Sequence, residues 1–286
     1  MENKFDFNIK INPLNPQIEK MVCAELDFEP TRSYEKISEK ELDKIYFDVC
    51  KKFSSNDTKN FDKKVILSIR ANYMRAHMMH MHKYIQKKKS QIIREYVGGA
   101  SIKSLVKKYD GSPLNIIRLI FQEKYKAKLT SIISNPKIIK KNSRDLKELE
   151  WAIDHDTYAL INQDEILAKS TEFEEKIAQI LDKHKIKYKT QAQLAQEQIE
   201  LADKPINTPD FLILSDLRIN NNKITWIDAK NFYGAKSNFT IKKIKAQTKK
   251  YLNAWGPGSI VFSLGFNSEL SFDNILLIDY ESYKNI

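Results

Sequence analysis

Cysteine is scarce in this chain: Cys23 and Cys50 are the only two among 286 residues. Two thiols support neither a disulfide framework nor a cysteine-based zinc site, and they point to a reducing compartment. Long apolar runs are missing as well. None approaches the roughly 20 residues that a membrane span requires, and the opening MENKFDFNIK lacks a signal-peptide core. The expectation is a soluble intracellular protein without a membrane partner, nuclear if eukaryotic and otherwise cytoplasmic.

What is abundant is positive charge, with a formal net of +11. Lys83–Glu150 alone carries 17 Lys and Arg against 6 Asp and Glu, so the rest of the chain is neutral overall. Charge gathered in one stretch suits a polyanion such as DNA, RNA or a membrane surface. A solvated lysine-rich surface is the plainer reading. The length suggests two domains.

Residues 1–40 are punctuated by Pro13, Pro16 and Pro30, and Ile18–Leu26 has the pattern of a short helix. Ser38, with Glu41 three residues later, has the form of a capping box opening a helix to Lys52. Asp62–Lys88 reads as a long helix carrying His77, His80 and His82. No Cys or carboxylate beside them completes a metal set, so a packed or phosphate-facing helix is the expectation. Gln91–Tyr96, Ser101–Tyr109 and Leu114–Tyr125 follow as three short helices, the last with Ser112 at its N-cap and Pro113 at its first position. Gly98, Gly99 and Gly111 fall in their turns, as in a helix-turn-helix module. Asn115, Arg118, Gln122 and Lys126 recur every three or four residues and would form the exposed face of the last helix, with Lys103, Lys107 and Lys108 on the helix before. An ordinary helical domain with a basic surface fits the same pattern.

After about residue 160 the pattern turns to mixed α/β. Thr171–His184 reads as a helix capped by Ser170 or Thr171, with Glu174 beside its apolar face; Ile186–Tyr188 is a candidate edge strand, and Gln191–Glu200 a polar connector. Phe211–Leu214 and Ile224–Ile227 have strand composition across the turn Asn220–Asn222. Asp210 opens the first strand. Asp228 and Lys230 close the second and, being two apart, share a face. Pairing the strands brings the carboxylates together. A helix Ile241–Trp255 and the buried strands Ser259–Leu264 and Asn274–Ile278 complete the series.

Pro209-Asp210, then Asp228-Ala229-Lys230, with Glu174 upstream and Gln247 and Tyr251 in the following helix, resembles the PD-(D/E)xK superfamily of restriction-endonuclease-like nucleases. Thr208–Phe211, Trp226–Lys230, Phe232-Tyr233-Gly234, Trp255–Gly258 and Gly265-Phe266, together with Glu172-Phe173-Glu174, look more narrowly like the TPD-motif family, whose animal members include a codanin-1-interacting nuclease. That resemblance is specific over about residues 170–267. Asp228 stands where a glutamate is expected in animal relatives. The implied architecture is a helical, helix-turn-helix-containing region over 1–160, then an α/β nuclease domain with a mixed central sheet over 161–286. A codanin-like partner is implied only for an animal-type lineage, and a homodimer is compatible with the pattern.

The residues suit those roles. Asp210, Asp228 and the Ala229 carbonyl are hard oxygen donors for Mg²⁺ or Mn²⁺, with Glu174 as a further direct or water-borne ligand. Lys230 would orient water or stabilise the transition state, Gln247 and Tyr251 would position it, and Lys242, Lys245 and Lys249 would touch the phosphate backbone. The leading expectation is a metal-dependent endonuclease on DNA, with branched or junction DNA in repair or recombination as its setting. The alternatives are a catalytically silent nuclease-fold binding or scaffold protein, and an RNA-processing nuclease.

Overall fold

A computed structural model describes residues 4–26, 28, 32–139, 143–158, 163–202 and 208–286. In chain order the elements are β1 (Lys4–Phe7), α1 (Pro16–Glu25), α2 (Glu39–Lys52), α3 (Lys63–Lys87), α4 (Lys89–Val97), α5 (Ile102–Tyr109), α6 (Pro113–Tyr125), α7 (Leu129–Ser134) and α8 (Arg144–Asp154). There follow α9 (Gln163–Lys183), β2 (Tyr188–Thr190), α10 (Gln191–Ala202), β3 (Phe211–Ile219), β4 (Asn222–Lys230), α11 (Asn238–Trp255), β5 (Gly258–Phe262), β6 (Ile275–Asp279) and α12 (Tyr280–Tyr283). The class is mixed α and β, as expected.

Two compact units form, and neither is contiguous. The first takes the described parts of 1–23, 43–72 and 163–286, and the second those of 24–42 and 73–162. A single boundary at residue 160 does not follow these units, which group β1, most of α1 and α2 and the first part of α3 with the sheet. The cause is β1, which pairs in parallel with β3, Lys4 opposite Asp216. Pro30 and the boundary itself lie outside the described residues.

In the first unit the sheet runs β1-β3-β4-β5-β6, with β2 also on β3. The β3–β4 hairpin is antiparallel, whereas β4, β5 and β6 are parallel. Its two-residue turn holds Asn220 at φ 50° and Asn221 at φ 62°, the left-handed pair a tight hairpin turn demands and asparagine tolerates. Asn220 also accepts from the Ile9 amide at 2.8 Å and donates to the Ile9 carbonyl at 2.9 Å, fastening the turn to the chain beyond β1. The hairpin register shifts between Leu212 and Leu217, so one strand serves two neighbours: β2 along Phe211–Ile213 and β1 along Asp216–Ile219.

Alternation along β4 feeds two apolar layers. Ile227 packs with Phe173, Ile177 and Leu181 of α9. Trp226 packs with Ile244 and Tyr251 of α11, and its indole N–H donates to the Gly256 carbonyl at 2.8 Å. The expected start of α9 at Ser170 or Thr171 falls inside the helix, and the strand near Ile186 sits two residues later, at Tyr188–Thr190.

The second unit has its own core, built from Ile92, Tyr96, Ile102, Leu105, Val106, Ile116, Ile117, Ile120 and Phe121. Ser38 and Glu41 make the reciprocal capping box at the start of α2. Ser101 caps α5, Ser112 caps α6 with Pro113 behind it, and Asp110 takes φ 50° between the two helices. Asp145 of α8 is buried and accepts from the hydroxyls of Tyr96 and Tyr125 and from the Lys124 ammonium. Burial alone would raise its carboxyl, but the donors outweigh burial and hold it below its ordinary value.

Candidate active site

Asp210 precedes β3, and its partner position lies beyond Ile227, because Phe211 pairs with Ile227. The hairpin therefore delivers Asp210 to the end of β4. There Asp210 Oδ2 accepts from the Ala229 amide at 2.6 Å. Asp228 is fully buried. It lies on the Trp226 face, toward α11.

Gln247 of α11 joins the remaining groups. Its Nε2 donates to Asp228 Oδ1 at 3.2 Å and to the Tyr251 hydroxyl at 3.0 Å. Its Oε1 accepts from the Lys230 ammonium at 3.1 Å. The Tyr251 hydroxyl donates onward to the Thr208 carbonyl at 3.2 Å. Lys230 also lies against Asp228 Oδ2, closing the ring. The expected spacing of Gln247 and Tyr251, one helical turn apart, is what lets both reach the hairpin.

The electrostatics are those of crowded acids. Burial, then the charge of Asp228, push the Asp210 carboxyl up to about 8; Lys230 and the Ala229 amide oppose this, and Glu174 adds to it. Glu174 is likewise raised, first by burial and then by Asp228. The Tyr251 hydroxyl is pushed well above its ordinary range by burial and by Asp228. Glu174 thus feels both aspartates, but it arrives on α9, which covers the opposite face of β4. Among the described residues no three His, Cys, Asp or Glu side chains gather closely enough to hold an ion between them. That applies to His77, His80 and His82 too, where His77 instead meets Asp110 at 3.1 Å.

A hard divalent ion nevertheless suits the oxygens present. Two carboxylates and the Ala229 carbonyl share one strand end, and the charge of Asp228 raises the Asp210 carboxyl although Lys230 opposes it. Asp210, Asp228 and Ala229 would hold such an ion, with Glu174 reaching it through water.

The expected nucleic-acid contacts fall in several places. At about 100° per residue along α11, Lys242, Lys245 and Lys249 stand on the far side of the helix from Gln247. Lys245 and Lys249 edge a depression of about 260 Å³ with Leu252 and Phe272. Lys243 and Lys250, four residues before and three after Gln247, share its flank and are exposed. In the second unit Lys103, Lys107, Lys108, Arg118, Gln122 and Lys126 are exposed and Asn115 is half-buried. Lys108 is held by Glu95 and Lys126 by Glu123.

Sequence reasoning missed the support of the loop after Lys230. Glu19 of α1, buried, accepts from the Tyr233 hydroxyl at 3.1 Å, the Lys236 amide at 3.2 Å and the Asn267 side chain at 2.6 Å. The Tyr233 amide donates to Ser68 Oγ, and Asn72 donates to the Tyr233 carbonyl. The signal was slight: one glutamate within Ile18–Val22, a stretch that also holds Lys20.

Residues 141–281 match a family described as a protein of unknown function with a TPD sequence motif. An uncharacterized protein of Acanthamoeba polyphaga mimivirus is 27% identical over 241 residues, which cover 79% of this chain and 82% of that one. No solved structure gives a match.

Proposed function

From the TPD-motif match and the ring it encloses, we propose that this protein is a metal-dependent endonuclease hydrolysing DNA phosphodiester bonds, of the PD-(D/E)xK kind. The observation that carries the reading is the closed set of Asp228, Lys230, Gln247 and Tyr251 beside Asp210 at one sheet end. A structural hairpin has no need for a buried Asp228 whose charge, after burial, raises the proton affinity of Asp210 beside it.

Mg²⁺ or Mn²⁺, when bound, supplies Lewis acidity toward the phosphate and a more acidic water. The chain's own residues do the rest. Asp210 and Asp228 present anionic oxygens, and the Ala229 amide fixes the orientation of Asp210. Lys230, steadied by Gln247, sets a cation where charge builds on the phosphate. Tyr251 fixes Gln247 in turn by anchoring to Thr208. Glu174 aligns water from the α9 side. The basic second unit supports a polyanionic substrate, with branched or junction DNA as the setting; a homodimer and a codanin-like partner stay compatible with it.

The test is incubation with duplex, single-stranded, flap and four-way-junction DNA and with RNA, each with Mg²⁺ or Mn²⁺ and with chelator. Cleavage that needs metal and is abolished in Asp210→Asn and Lys230→Ala is expected. Binding without cleavage of any substrate would instead identify a silent nuclease fold, and cleavage of RNA alone an RNA-processing enzyme.

A further inference from the structure

A cavity of about 110 Å³ in the second unit lies between α3 and α6, lined by the half-buried Met78 and Met81 and by buried Ile85 and Leu119, and edged by Gln86, Asn115, Arg118 and Gln122. The row expected to be the free reading face of α6 is therefore shared with α3. An α-helix is roughly 10–12 Å across and a major groove roughly 12 Å wide, so one helix fills a groove and two side by side do not enter it. The row faces a hollow instead of standing as a ridge.

The hollow has a particular chemistry. Two thioether side chains offer a soft, polarizable surface suited to the face of an aromatic ring. Around them stand amides and a guanidinium, the side chains that pair with base edges through two hydrogen bonds at once. The Arg118 guanidinium donates to Asn115 Oδ1 at 2.9 Å, which orients it. Lys83 and Lys87 are exposed on α3 beside Gln86, as phosphate contacts need. Unpaired bases are recognised by this combination of a stacked face and a hydrogen-bonded edge.

We infer that this pocket takes one unpaired nucleobase, read on its edge by Gln86, Asn115, Arg118 and Gln122. The inference rests on the nucleic-acid reading above and narrows it to substrates that expose a base, such as bulged or branched DNA.

The experiment is fluorescence anisotropy of the full chain in chelator, with three duplexes: perfect, carrying a single-nucleotide bulge, and carrying the same bulge with an abasic nucleotide. The bulged duplex is expected to bind about tenfold more tightly than the perfect one, the scale of one good base contact. The abasic bulge should forfeit that gain, since it keeps the backbone distortion without the base. Arg118→Ala and Gln122→Ala, both at exposed positions, should erase the difference between bulged and perfect duplex, with circular dichroism confirming the fold. Equal affinity for all three duplexes, or a preference that survives the abasic bulge or both substitutions, overturns the pocket while leaving DNA binding intact. No binding to any duplex or single strand overturns the nucleic-acid reading itself, and the pocket with it.

Discussion

Asp210 and Gln247 carry the most direct consequences at the scale of single residues. The Asp210 carboxyl holds its proton up to about pH 8 in the folded chain, against about 4 when unfolded. A raised folded value means that the folded state binds the proton more tightly. The contribution of Asp210 to the stability of the metal-free protein is then fully present below about pH 4 and is lost as pH rises through 8. Asp210→Asn removes the ionisation and keeps an acceptor for the Ala229 amide. It should raise stability in chelator at pH 8 by at least about 1 kcal/mol, read by urea denaturation. The gain should disappear at pH 4, and a gain of equal size at both pH values would contradict the crowding of Asp210 and Asp228. Gln247→Leu keeps the volume but removes the acceptor for Lys230 and the donor to Asp228. Cleavage should fall roughly 10–100-fold, as for other groups that orient a reacting set, while Tyr251→Phe should fall less.

Residue types make much of this legible in advance. Asp210, Asp228 and Lys230 announce themselves by spacing, because strand periodicity puts side chains two apart on one face. Gln247 and Tyr251 stand out through the resemblance to the PD-(D/E)xK pattern, and helical periodicity adds only that they share a face. Glu19 does not, since its partners lie more than two hundred residues away and no local pattern encodes a buried carboxylate's donors.

At the scale of elements, α11 presents two lysine faces. If the phosphate backbone lies along Gln247, replacing Lys243 and Lys250 by Ala should lower the slope of log affinity against log salt by roughly 1.8, about 0.9 for each phosphate no longer neutralised. Replacing Lys242, Lys245 and Lys249 should leave the slope nearly unchanged. A larger effect from the triple variant would place the DNA on the other side. The strand β5 yields a stability prediction. A Cβ on Gly258 would fall onto the Trp226 ring, well inside van der Waals separation, and the ring is pinned by its bond to Gly256. Gly258→Ala should therefore cost about 1–3 kcal/mol, as overpacking does, measured by denaturant midpoint. Sequence alone marks Gly258 only as part of a helix stop; its closeness to tryptophan is a fact of tertiary packing. Sequence likewise presents α6 as a free ridge, because helical periodicity reports which residues share a face and not what stands opposite.

For the whole molecule, the discontinuous units matter most. Residues 163–286 produced alone would lack β1, α1 and the segment 43–72. The Asp216–Ile219 edge of β3 would be left unpaired, and Glu19, Ser68 and Asn72 would no longer hold the loop around Tyr233. Such a fragment is expected to be unfolded or aggregated by circular dichroism and light scattering, although motif content alone would call it a complete nuclease domain. A folded, monomeric fragment would show that the N-terminal segments are dispensable. Composition and charge separate a basic helical stretch from a mixed α/β one along the chain well. They do not reveal that an early segment pairs with β3, because the alternation of Lys4–Phe7 marks a short strand and not its neighbour.

The pairing of Lys4–Phe7 with Asp216–Ile219, and of Leu14 with Phe266, sets an order of events during synthesis. A ribosome adding roughly 5–20 residues per second exposes the first strand many seconds before its neighbour exists. Contacts of such long sequence separation close late. The ring around Gln247 is therefore assembled only after α11 has been made, and on the nuclease reading a nascent chain that stops before it would carry the basic helices without the groups proposed to cut.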